Sequence, residues 1–136
     1  MLFRSLKNVE IVRYGVMHRN TYLNSPRILK PTYQTKERDD LFIAGQLTGV
    51  EGYVESAASG LVAAINMVKL LHEETLHVFS SSTMIGALAN YISNPLVEHF
   101  QPMNANFGLV TEIKVPKKIK KQSLSERALT EIASYA

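Results

Sequence analysis

An α/β fold with a few strands and about three helices is what this 136-residue sequence predicts, on three observations. Leu41, Phe42, Ile43 and Ala44 form an apolar run behind the charged stretch 36–40. The run is too brief for a helix and apolar enough for a strand packed on both faces. Glycines then fall at Gly45, Gly49 and Gly52, and a long helical pattern begins at about Tyr53. Strand, glycine-spaced turn and helix form the unit with which α/β proteins bring backbone N–H groups against a ligand.

Taken in order, residues 1–9 carry no clear period. Ile11, Val12, Tyr14 and Val16 predict a strand, ended or bulged at Gly15. Residues 18–26 are polar and read as a loop, with Asn24-Ser25-Pro26 as a turn. Residues 29–35 read as extended, because the residue before Pro31 is pushed toward β. The helix over 53–72 places Val54, Ala57, Ala58, Leu61, Ile65 and Val68 on one apolar face, expected to meet the core. Gly60 inside it costs about 1 kcal/mol against alanine, so a close contact there is expected. Ser80 to Thr83 offer N-caps for a helix over 84–93, stopped by Asn94-Pro95. Residues 101–110 are irregular, and a last helix over 117–134 has a weak seam of Ile119, Leu124, Ala128, Leu129 and Ile132.

Composition bounds the function. Hydrophobic residues make up 46% and charged ones 20%, ordinary for one globular domain with a modest core. No stretch reads as a membrane span and the first residues are no signal peptide, so a cytoplasmic setting without membrane partners is expected. Zero cysteines exclude disulfides, thiolate metal sites and a cysteine nucleophile within this chain. His18, His72, His77 and His99 show no ligand spacing, so no metal site is expected.

The glycine spacing G-x-x-x-G-x-x-G is neither the dinucleotide fingerprint nor a P-loop. Glu51 and Glu55 flank the first turn of the helix, where they suit its dipole and would repel a phosphate. A polar neutral edge or a delocalised anion fits such a turn better than a pyrophosphate. A capped turn with no ligand fits it equally well. Net charge is only +3, yet Lys114, Lys117, Lys118, Lys120 and Lys121 crowd one short stretch. Charge alone reads them as a solvated helix face. No aromatic is interleaved with them, so no stacking platform for single strands is expected.

The stretch Gly45-Gln46-Leu47-Thr48-Gly49-Val50-Glu51-Gly52-Tyr53-Val54-Glu55-Ser56-Ala57-Ala58-Ser59-Gly60 resembles the carboxyl-terminal flavin motif of the bacterial folate- and FAD-dependent tRNA (uracil-5-)-methyltransferases. Arg13-Tyr14-Gly15-Val16-Met17-His18-Arg19-Asn20-Thr21-Tyr22 and Asn104-Ala105-Asn106-Phe107-Gly108-Leu109 resemble the same family. The resemblance covers nearly the whole chain, with three motifs in order. The related tRNA wobble-uridine modification flavoproteins share the 45–60 pattern but not His18-Arg19-Asn20-Thr21, which favours the methyltransferase.

The resemblance implies the carboxyl-terminal portion of a Rossmann-like FAD-binding fold. Residues 1–110 would complete the FAD-binding domain and 111–136 would form a basic helix. A glycine-rich FAD-binding part and the family's cysteines are expected upstream. FAD would be the cofactor, NAD(P)H and 5,10-methylenetetrahydrofolate the co-substrates, and carbon 5 of a T-loop uridine in tRNA the methyl acceptor. Gly45, Gln46, Thr48, Gly49, Val50, Glu51, Gly52 and Tyr53, with His18, Arg19 and Asn20, would line the flavin or folate site. Gln46 stands where many flavoproteins carry an aspartate for the ribityl hydroxyls, so that contact departs from the pattern. Lys117, Lys118, Lys120 and Lys121 would meet tRNA phosphates. This chain alone, without cysteine, is expected to be inactive and to self-associate through a face left uncovered. The alternatives are the wobble-uridine flavoprotein, and a non-catalytic RNA-docking module.

Overall fold

A computed structural model of the protein describes Glu10 and residues 21–135. The strand expected over 11–16 lies outside the described residues. Among the described residues there are four α-helices: α1 Ser25–Ile28, α2 Tyr53–Leu71, α3 Met84–Ser93 and α4 Lys120–Ala133. A 3-10 turn, Gln46–Thr48, precedes α2.

The α/β expectation is therefore corrected. Among the described residues there is no β-strand, only isolated bridges pairing Leu29 with Thr35, Gln34 with Phe42 and Val50 with Met103. A strand is made by its neighbours. Residues 41–44 find one bridging partner in Gln34 and no ladder, and Leu41 is exposed while Phe42, Ile43 and Ala44 are half-buried. The apolar run is extended chain laid on the core rather than a strand inside a sheet.

The helices follow local chemistry. Thr83 caps α3, its Oγ1 accepting from Gly86 N at 3.0 Å, and Pro95 closes the other end as expected. α1 is a single turn with proline in its first positions, where a missing N–H costs nothing. The sequence reads only its first two residues, Ser25 and Pro26, as part of a loop and turn. α4 opens at Lys120, after a turn in which Ile119 N donates to Pro116 O.

The main core joins Leu29, Tyr33, Val50, Val62, Ala63, Leu88, Ala89, Ile92 and Phe100. A smaller cluster of Ala87, Val110 and Leu124 fixes α4 to α3. Each fully buried Val, Leu or Ile contributes about 1.5–3 kcal/mol relative to exposure, so Leu29, Val50, Val62 and Ile92, with the buried Tyr33 ring, supply much of the cohesion.

The face of α2 also needs correction. Its buried residues are Ser59, Val62, Ala63 and Asn66. Val54, Ala57, Leu61 and Val68 from the expected core face are exposed, and Gly60 has nothing within 4 Å of a built Cβ. The 19-residue helix carries only Glu55 and Lys69 as charges, so it is long and apolar enough to cross a membrane by length and composition, contrary to the sequence reading. Hydrogen bonds hold its polar side instead. Ser59 Oγ accepts from Gly45 N at 2.8 Å, and Asn66 Oδ1 accepts from His77 N at 2.6 Å while its Nδ2 donates to His77 O at 3.0 Å.

Candidate functional site

The turn from Gly45 to Tyr53 is tied down by four hydrogen bonds to three residues, Leu23, Met103 and Ser59. Leu23 N donates to Leu47 O at 2.8 Å, Met103 N donates to Gly49 O at 2.9 Å, and Glu51 N donates to Met103 O at 3.0 Å. Gly45 N is held by Ser59, fourteen residues on. Leu23 and Met103, the residues next to the 13–22 and 104–109 stretches, are thus drawn to the turn before α2. His18, Arg19 and Asn20 lie outside the described residues.

The three glycines serve three different ends. Gly49 adopts the left-handed conformation at φ 82°, and a Cβ there would meet Phe100 Cζ at 2.5 Å, so packing requires the glycine. Gly52, the N-cap of α2 at φ 100°, would drive a Cβ into the Glu55 carboxylate and to 3.1 Å from Asn104 Nδ2. Beside Gly45 the space is open, with nothing within 4 Å. Only this last glycine leaves room for a ligand's close approach.

Glu55 is the residue whose role sequence reasoning missed. It sits three residues after the N-cap, the place from which an acid reaches back to a helix start. Its Oε1 accepts from Ala105 N at 3.2 Å and so draws the 104–106 segment across the mouth of α2. The spacing from Gly52 was the signal. Asn106 stiffens the next turn, its Oδ1 accepting from Gly108 N at 2.9 Å.

The remaining site residues sort by what they can offer. Gln46 and Tyr53 are exposed, Tyr53 almost completely at 98%. Thr48 is buried and spends its hydroxyl on Gly45 O at 2.7 Å, which is turn chemistry. Val50 is buried in the core, leaving only backbone. Glu51 is half-buried with its N–H taken by Met103. The N–H groups of Gly52 and Tyr53 open the helix without a backbone partner among the described residues. With the Glu55 carboxylate already at the helix mouth, this edge suits a flat, polar, neutral rim more than an anion. Behind α2, a groove of about 330 Å³ lies between Tyr33, Val54, Ala58, Met84, Leu88 and Ala105. Burial pushes the Tyr33 phenol far up, so it stays protonated.

The lysines differ among themselves. Lys120 pairs with Glu112 at 2.9 Å, and that hydrogen bond and charge hold the Glu112 carboxyl below its ordinary range. Lys117, Lys118 and Lys121 are exposed and without an ion pair among the described residues. Lys121 Nζ stands 6.0 Å from the centre of the Phe107 ring. Sequence reading had no aromatic beside these lysines; the fold supplies one. At its far end α4 is fastened by Tyr135, whose ring meets His77 at 4.3 Å and Phe79 at 5.4 Å.

Known proteins resemble this chain closely. The family model described as Glucose inhibited division protein A matches residues 2–75. A methylenetetrahydrofolate–tRNA-(uracil-5-)-methyltransferase TrmFO of Shouchella clausii is 60% identical over 133 residues, 96% of this chain and 30% of that protein. Its namesake in Bacillus subtilis is 64% identical over 121 residues, 89% of this chain and 28% of the relative. That of an Exiguobacterium species is 58% identical over 139 residues, 98% of this chain and 32% of the relative. The chain thus spans about a third of the length of the curated relatives it matches.

Proposed function

We infer the function from one premise: this chain belongs to the glucose inhibited division protein A family. On it we propose that the chain is the carboxyl-terminal part of a folate-dependent tRNA (uracil-5-)-methyltransferase, acting on carbon 5 of a T-loop uridine in the cytoplasm. Identities of 58–64% to relatives bearing that activity in their names support the reading. The observation that carries it within the structure is the bare face of α2. Val54 is 80% and Leu71 74% exposed, beside Leu61 and Val68. Covering such side chains gains about 1 kcal/mol or more each, and the larger part of the relatives' length has no counterpart here to do it.

In this reading residues 1–110 serve cofactor and folate, and 111–136 serve RNA. The Gly45–Tyr53 turn would hold FAD by the open side of Gly45, the Gln46 amide and the Gly52 and Tyr53 N–H groups. His18, Arg19 and Asn20 would complete the flavin or folate wall. Bound FAD would supply the electrons that turn a transferred one-carbon unit into a methyl group, with NAD(P)H as their source. The chain's own part is orientation. Glu55 holds the 104–106 segment against the helix mouth, and Gly45 keeps one edge open. No cysteine is present to activate the uracil ring, so that nucleophile would come from elsewhere in the protein.

The test is to purify the full-length protein, record its flavin spectrum and follow methyl transfer from labelled methylenetetrahydrofolate to tRNA. Retained flavin with label at a T-loop uridine is expected. Flavin with modification at the wobble position would move the reading to the related flavoproteins, and neither flavin nor transfer would refute it.

A further inference from the structure

We propose that Phe107 and Lys121, with Lys117 and Lys118, form a stacking site for one unpaired RNA nucleotide. This deepens the RNA reading above and rests on it. Phe107 is 47% exposed, a large apolar ring held at the surface. It is held there firmly, because Asn106 closes the turn around it through Gly108 N at 2.9 Å and Leu109 N at 3.2 Å. Lys121 Nζ, 6.0 Å from the ring centre, stands at the outer limit of a cation–π contact and leaves ring surface free.

Beside the ring an open groove of about 270 Å³ runs between Met84, Val110, Leu124 and Ala128, with no acidic residue in its lining. Lys117 and Lys118 lie one turn before Lys121 on the segment leading into α4. All three are exposed, and Lys120 alone is spent on Glu112. The first turn of α4 holds no acid, although acids are what favour that end of a helix. A merely solvated face gains nothing from this arrangement. Phosphates on either side of a stacked base account for both the free cations and the exposed ring. Stacking on a π-face also needs no particular base, so the site selects unpaired nucleotides rather than a sequence.

The experiment uses the full-length protein, an unmodified tRNA transcript and a fully paired RNA duplex, with affinities measured across salt. Phe107→Leu should weaken transcript binding by about five-fold or more, with duplex affinity, salt slope and flavin content unchanged. Phe107→Trp should keep transcript affinity and add fluorescence that the transcript quenches. That variant carries the test if Phe107→Leu loses its fold. Joint Lys117→Gln, Lys118→Gln and Lys121→Gln should lower the salt slope by about 0.7–0.9 per lost contact. A lowered slope in the lysine variant, together with parental transcript affinity in Phe107→Leu, overturns the stacking site alone. Equal losses on duplex and transcript overturn it too. An unchanged slope in the lysine variant removes the RNA reading of α4 itself.

Discussion

Replacing Asn66 by alanine should destabilise the protein by about 2–4 kcal/mol. The side chain is fully buried on α2 and acts as a two-handed clamp on one residue eleven positions away. Its Oδ1 accepts from His77 N at 2.6 Å, and its Nδ2 donates to His77 O at 3.0 Å and to Val62 O at 3.1 Å. Two net hydrogen bonds are worth about 0.5–1.5 kcal/mol each, and a stranded buried N–H or C=O adds about 1–3. His77 is half-buried, so water recovers part of this and the lower half of the summed range applies. Asn66→Asp should be at least as harmful, since it keeps the acceptor for His77 N but sets a carboxylate against two carbonyl oxygens. The effect should reach α4, because the His77 ring packs on Phe79 at 4.6 Å and on Tyr135 at 4.3 Å. Urea unfolding of the full-length protein gives the magnitude, and amide exchange at His77 reports the clamp directly. A loss under 1 kcal/mol with His77 still protected would refute the reasoning.

Other outcomes follow from named groups. Burial raises the folded-state pKa of Tyr33 above its ordinary value of 10.0, so its stabilisation is complete below about pH 10 and is lost as pH climbs toward the folded value. Alkaline titration should show unfolding that Tyr33→Phe moves to higher pH; an identical profile in both proteins would count against the burial argument. Gly49→Ala should destabilise more than the left-handed backbone penalty of about 1–2 kcal/mol alone, because Phe100 must also shift. Thermal melting decides, and a smaller loss would show that the Phe100 ring yields freely. The 136-residue chain expressed alone should self-associate and retain no FAD; a monodisperse monomer by light scattering would contradict the bare-face argument.

Legibility followed the range of the forces. α3 reads directly from the sequence, since a threonine cap at Thr83 and the Asn94-Pro95 stop are local chemistry. α2 reads well in extent and badly in orientation. The one-turn α1 gives too little periodicity to register. Of the site, the 45–53 turn is legible from its glycines, but their separate roles are not. Phe100, Asn104 and Glu55 supply those roles, two of them from fifty residues away. Phe107 meeting Lys121 across fourteen positions is likewise a product of tertiary packing.

The two corrections, of sheet and of helix face, share one cause. A strand and an amphipathic helix are both inferred from apolar residues that expect a neighbour, and periodicity cannot say whose chain that neighbour belongs to. Residues 41–44 carry apolar side chains for two faces and find one bridging partner. α2 is apolar nearly all round, the pattern of a helix buried on every side, yet only one side meets this core. The choice of buried side was made by polar residues. Ser59 and Asn66 must have partners when buried, and Gly45 and His77 provide them. Val54, Leu61 and Val68 need only contact, which any apolar surface supplies. The small residues on the outer side, Ala57 and Gly60, then leave a shallow strip where another backbone can approach closely. That strip begins one turn past Gly52, so whatever covers it also comes up against the amino end of α2. In the proposed enzyme, covering the helix and walling the proposed cofactor site would therefore be one structural event.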